Sequence, residues 1–120
     1  MHAYEAIEQS LTFIEEHLTK EISTEELANT VGLSTFYFQR LFKRLVNKPV
    51  QEYVKLRRLA KAIENLKSTD QRILDIALYY GFSSHGNFTR AFKETYGITP
   101  ESYRRDLPML NTFARPEVSM

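Results

Sequence analysis

Two stretches of this chain are near copies of one another. Residues 32–55 read GLSTFYFQRLFKRLVNKPVQEYVK, and residues 81–105 read GFSSHGNFTRAFKETYGITPESYRR. Both open with Gly, a bulky apolar residue and Ser. Both continue Phe-x-Arg-x-Phe-Lys, and both set a Pro ahead of a Tyr. The copy extends upstream, where LANTVGLS (27–34) matches IALYYGFS (76–83) at an offset of 49. FYFQRLFK (36–43) matches GNFTRAFK (86–93) at an offset of 50, so the second copy has one more residue in its turn. Self-similarity of this kind means one supersecondary unit built twice.

The unit is a short helix, a turn with Gly, and a longer helix, the order of a helix-turn-helix. Gly32 and Gly81 suit a turn that needs positive φ. Ala28 and Ala77 are small where the two helices cross. The longer helix has two opposed stripes at i, i+3, i+4, i+7. In the first copy Phe38, Leu41, Phe42 and Leu45 face the core, and Phe36, Gln39, Arg40 and Lys43 face out. In the second copy the core stripe is Phe88, Ala91, Phe92 and Thr95. Its outer stripe is Gly86, Thr89, Arg90 and Lys93, flanked by His85 and Asn87.

The rest of the chain is helical by period. Ile7, Leu11, Ile14 and Leu18 form one stripe on a helix of about 4–19. Ser23 to Glu26 is a capping box that opens a helix of about 24–31. Ser34 caps a helix of about 35–46, and Asn47 suits its left-handed end. A long helix follows Pro49 over about 50–67, carrying Tyr53, Leu56, Leu59, Ala60, Ile63 and Leu66. Ser68-Thr69-Asp70 breaks it and caps a helix of about 71–80. Further helices are expected over about 84–96, ended by Gly97, and about 100–106, where Thr99-Pro100 is an N-cap followed by Pro at the first position. The expected fold is all-α, seven helices in two helix-turn-helix subdomains joined by a long linker helix. Residues 107–120, LPMLNTFARPEVSM, show no periodicity.

Net charge is only +1, but it is segregated. Residues 1–30 hold seven Glu against one Lys, and residues 31–67 hold nine Lys or Arg against two Glu. A basic middle is either a solvated face or a surface for a polyanion. The outer stripes favour the second. Gln can pair bidentately with adenine and Arg with guanine in the major groove, Phe36 can pack on a thymine methyl, and Lys reaches phosphates. An ordinary amphipathic helix with Phe36 half buried is the competing reading. A linker helix of about 18 residues spans roughly 27 Å, near the ~34 Å between successive major-groove faces. That suits two recognition helices in adjacent grooves of a bent duplex, or tilted ones. Arg57, Arg58 and Lys61 on this helix either attract the DNA backbone or are solvated.

The stretch from about residue 4 to 106 resembles the DNA-binding domain of the AraC/XylS family of transcription regulators. The strongest match is IALYYGFSSHGNFTRAFKETYGITPESYR, with its GF, F-x-R-x-F-K and G-x-x-P-x-x-Y-R elements. The resemblance implies sequence-specific binding to double-stranded promoter DNA, most often to activate transcription. It places base-reading positions on Phe36, Gln39 and Arg40, and on His85, Asn87 and Arg90. Thr35, Lys43, Arg44, Ser84, Thr89 and Lys93 are then phosphate candidates. Gly86 has no side chain to read with and lowers helix propensity by about 1 kcal/mol relative to Ala, so the second unit is expected to read less sequence than the first. Family members often carry an effector domain, and the tail resembles a linker to a C-terminal ligand-sensing domain. A stand-alone regulator is the alternative.

Other classes fare worse. Cys is absent, so no thiolate metal site or disulfide exists. His2, His17 and His85 each lack a second ligand at metal spacing, and no Gly loop would cradle a phosphate. No enzyme activity and no cofactor is expected. No apolar run reaches the ~20 residues of a membrane helix, and a cytoplasmic setting is expected. A helical protein-interaction module is the remaining rival. Glu5, Glu8, Glu15 and Glu16 crowd the first helix, either as a solvated face or as a contact for RNA polymerase.

Overall fold

The computed structural model describes residues 2–118. Its described residues are helical, with no strand: α1 Ala3–Glu16, α2 Thr24–Thr30, α3 Thr35–Val46, α4 Val50–Ser68, α5 Ile73–Tyr79, α6 His85–Tyr96 and α7 Pro100–Asp106. Among the described residues, 2–57 with 114–118 form one compact unit, and residues 58–113 form a second. The boundary falls within α4.

In the first unit Ile7, Leu11 and Ile14 of α1 are fully buried, as are Phe38 and Phe42 of α3 and Tyr53 of α4. The rings of Phe38 and Phe42 lie 5.8 Å apart, and Phe42 meets Tyr53 edge-on at 5.5 Å, a favoured aromatic arrangement. Around this core the polar chain is pinned by charge. Arg57 donates to both oxygens of Glu15, at 2.9 and 2.6 Å, and both side chains are mostly covered. Arg57 is therefore engaged within the protein. Arg115 of the C-terminal segment donates to Glu8 and to Thr12 Oγ1 on α1. Two of the four acidic residues crowding α1 thus have internal partners.

The second unit repeats the plan. Leu59, Ile63 and Leu66 of α4, Ile76 and Ala77 of α5, Phe88 and Phe92 of α6 and Tyr103 of α7 form its core. Arg104 ties its loops together. It donates to Leu66 O at 3.1 Å, Gln71 O at 2.5 Å and Thr69 O at 3.3 Å, satisfying carbonyls that the end of α4 and the following loop leave without helical partners. Leu110 packs against this core and Arg115 bonds to α1, so residues 107–118 are fastened to the helices although they form no helix or strand themselves.

Three local expectations are corrected. α1 stops at Glu16, not 19: the His17 N–H turns to Ile14 O at 3.0 Å, and the ring Nδ1 donates to Phe13 O at 2.7 Å. Leu18 is still buried, beyond the helix end. α5 begins at Ile73, because Thr69 Oγ1 donates to Asn65 O at 2.7 Å and accepts from Gln71 N at 3.2 Å rather than capping α5. Thr95 is exposed, its hydroxyl donating to Ala91 O at 2.9 Å, and Tyr96 packs against the core instead.

Burial pushes the Tyr53 phenol up to about 12, since a phenolate in that core would lose its water. The neutral form is favoured by folding, so this contribution is intact below pH 10 and is lost as pH rises from about 10 to 12. Two pKa units correspond to about 2–3 kcal/mol. Urea titrations between pH 9 and 12 should show the parent losing stability steeply and Tyr53→Phe losing correspondingly less.

Candidate nucleic-acid interface

The two turns open with the same pair of backbone hydrogen bonds. In the first, Leu33 N donates to Ala28 O at 2.9 Å and Gly32 N to Asn29 O at 3.1 Å. In the second, Phe82 N donates to Ala77 O at 3.0 Å and Gly81 N to Leu78 O at 3.1 Å. The glycines take φ of +73° and +83°, the left-handed region that other residues resist. Ser34 Oγ then accepts from Tyr37 N at 3.2 Å, and Ser84 Oγ from Asn87 N at 3.0 Å. Each longer helix ends in a left-handed residue, Asn47 and Gly97 respectively. The sequence repeat is thus a repeat of turn, cap and helix.

On α3 the core stripe and outer stripe separate as expected. Phe38 and Phe42 are buried, Leu41 and Leu45 are half-buried, and Gln39, Arg40, Lys43 and Arg44 are exposed. Phe36 is 69% exposed, which removes the half-buried reading. The Arg40 guanidinium sits 5.5 Å over its ring. Arg40, Lys43 and Arg44 have no acidic partner among the described residues. Thr35 is half-buried at the helix start. A groove of about 450 Å³ lies at this face, lined by Phe36, Arg40 and Lys43 of α3 and by Val50 and Gln51 of α4. Gln51 is fixed there by bonds to Ile22 O and Thr24 Oγ1.

On α6 the corresponding side chains are already bonded to one another. Arg90 donates to Asn87 Oδ1 at 2.5 Å, and Asn87 donates to Ser83 Oγ. His85 Nε2 lies 2.8 Å from Glu101 Oε2 of α7. Ser84, Asn87, Arg90 and Lys93 are exposed. Thr89 is placed otherwise: its Oγ1 is buried, with no hydrogen-bond partner among the described residues. Gly86 is not demanded by space, since a Cβ there would meet only Ser84 Oγ at 3.9 Å. Sequence reasoning missed Ser83 and Glu101. Ser83 stands four residues before Asn87, a spacing that could have been noticed. Glu101 lies on another helix, where no local pattern points to His85.

Among the described residues no group of His, Asp and Glu is placed to hold a metal ion, and no helix is long and apolar enough to cross a membrane. Two helix-turn-helix units with matched turns and exposed polar faces on their longer helices define the DNA-binding domain of a transcription regulator. A family profile described as a helix-turn-helix domain matches residues 27–106. The uncharacterized HTH-type transcriptional regulator YbfP of Bacillus subtilis (strain 168) is 44% identical over 104 residues, which is 87% of this chain and 35% of that protein. The HTH-type transcriptional activator AarP of Providencia stuartii is 37% identical over 98 residues, covering 82% of this chain and 73% of that one. The crystal structure of an AraC-type regulator from Chromobacterium violaceum superposes with a TM-score of 0.81 at 29% identity, over 88% of this chain and 96% of that one. The chain belongs to the AraC/XylS family of transcription regulators. It spans about a third of the length of the Bacillus relative.

The glycines of the two turns should not be equally replaceable. A Cβ at Gly32 meets nothing within 4 Å, whereas one at Gly81 comes 3.0 Å from Arg58 Nη1. Arg58 is half-buried, and burial lowers its pKa from the ordinary value. Gly32→Ala should cost only the left-handed strain, about 1–2 kcal/mol. Gly81→Ala should cost that and more, because Arg58 must shift. Thermal unfolding of the two variants side by side checks the order.

Proposed function

We propose that this chain binds promoter DNA sequence-specifically, setting α3 and α6 into adjacent major grooves, and that it activates transcription. The observation that carries this is the outer face of α3. There an exposed Phe36 and three exposed cations, without acidic partners among the described residues, stand on a helix whose start is set by a capped turn. The base readers on this reading are Phe36, Gln39 and Arg40 from α3, and His85, Asn87 and Arg90 from α6. Phosphates fall to Thr35, Lys43, Arg44, Ser84 and Lys93, while the inward hydroxyl of Thr89 argues against a place in that set. Activation is inferred from AarP, a transcriptional activator. An RNA polymerase contact has Glu5 and Glu16 of α1 available, since Glu8 and Glu15 are paired internally. An effector would act through a further domain, in keeping with the greater length of the Bacillus relative. The setting is the cytoplasm, where promoter DNA is found.

A second reading, a helical protein-interaction module, draws on α5, where Leu74, Leu78 and Tyr79 are exposed. Salt separates the two: each phosphate contact steepens the loss of affinity with salt. Selection of duplexes from a random library by this chain should enrich a two-part motif with halves about one helical turn apart. Arg40→Ala should relax one half and Arg90→Ala the other, each by about 1–3 kcal/mol. Absence of any motif at moderate salt, with both variants matching the parent, would refute the proposal.

A further inference from the structure

His85 and Glu101 form a pair without counterpart in the first unit. At the repeat offset of 50, His85 matches Thr35 and Glu101 matches Gln51. Gln51 bonds to Ile22 and Thr24. Glu101 instead reaches His85 at 2.8 Å, and the two side chains remain 48% and 44% exposed. Neither is buried for the sake of the core, and both open to solvent at the start of α6, on the helix that carries Asn87 and Arg90.

The chemistry of the pair is directional. A carboxylate only accepts, so the proton between them sits on His85 Nε2. Glu101 keeps a second oxygen, half-open to solvent, and it too can only accept. In the major groove adenine offers the N6 amino group and cytosine the N4 amino group, whereas guanine O6 and N7 and thymine O4 are acceptors themselves. An acceptor set against an acceptor is left unpaired and desolvated, which is the stronger part of discrimination.

We propose that Glu101 is a specificity-determining residue of the second unit, its free carboxylate oxygen selecting an amino-bearing base, adenine or cytosine, at one position while the other oxygen is held by His85. This rests on α6 being a recognition helix. His85 acts partly through Glu101 and is to that extent a positioning residue. The negative charge of Glu101 also opposes nearby phosphates, so Glu101 trades general affinity for selectivity.

The test is duplex selection at one salt concentration with the parent chain, Glu101→Gln, His85→Ala and the double variant, each checked by thermal unfolding. In Glu101→Gln, preference for the amino-bearing base should fall by about threefold or more at one position of the α6 half-site. The other half-site should be unchanged, random-sequence DNA should bind more tightly, and the unfolding midpoint should match the parent. His85→Ala should lose the same preference, and adding Glu101→Gln should remove nothing further at that position, the signature of two residues acting as one. The proposal is overturned if the Glu101→Gln motif superimposes on that of the parent. It is equally overturned if all positions weaken together with an earlier melt, which is a structural role. A parent that enriches no motif removes the recognition reading itself, and this inference with it.

Discussion

Two inward phenylalanines one turn apart decide the orientation of the longer helix of each unit. Phe38 with Phe42, and Phe88 with Phe92, are fully buried. A helix of 3.6 residues per turn that buries positions i and i+4 must turn the opposite side to water. Rotating α3 by one residue would expose two aromatic rings, at a cost of about 1.5–3 kcal/mol each. The outer face is thus defined by what lies behind it. The turn supplies the second restraint, since the bonds to Ala28 O and Ala77 O, with the serine caps, fix where each helix begins.

Charge is distributed to the same end. The basic middle of the sequence is not one field. Arg57 is paired with Glu15, Lys55 with Glu52 and Lys61 with Glu64, while Arg40, Lys43 and Arg44 on α3 have no acidic partner among the described residues. Much of the positive charge of α4 is thereby compensated locally, while three cations stand together on the outer face of α3. Uncompensated cations on one face attract a polyanion most strongly there.

Most of the fold was legible because its signals are local. Apolar period, serine caps and turn glycines lie within a few residues of what they determine, and the seven helices follow from them. The failures came where distant residues intervene. Thr69 looked like a cap for α5, but the preceding helix takes its hydroxyl, and Arg104 from α7 secures the surrounding carbonyls. Thr95 fitted the core period yet is exposed, because Tyr96 beside it packs on the core with a larger ring. At the candidate site the stripes separated buried from exposed faces, but the partners of the exposed residues were invisible. Nothing near His85 announces Glu101, and nothing near Arg57 announces Glu15, 42 residues away.

The bonding along α6 bears on how the two halves would meet a ligand. The chain from Ser83 through Asn87 to Arg90 already restricts those rotamers, as Glu101 restricts His85. On α3, Gln39, Lys43 and Arg44 carry no such restraint, and ordering each long side chain costs about 0.5–1.5 kcal/mol. The first unit is therefore adaptable and entropically expensive to settle. The second arrives with its side chains arranged, and gives up adaptability for that readiness. Two units so unlike would tolerate variation in whatever the first meets while holding whatever the second meets to a fixed shape.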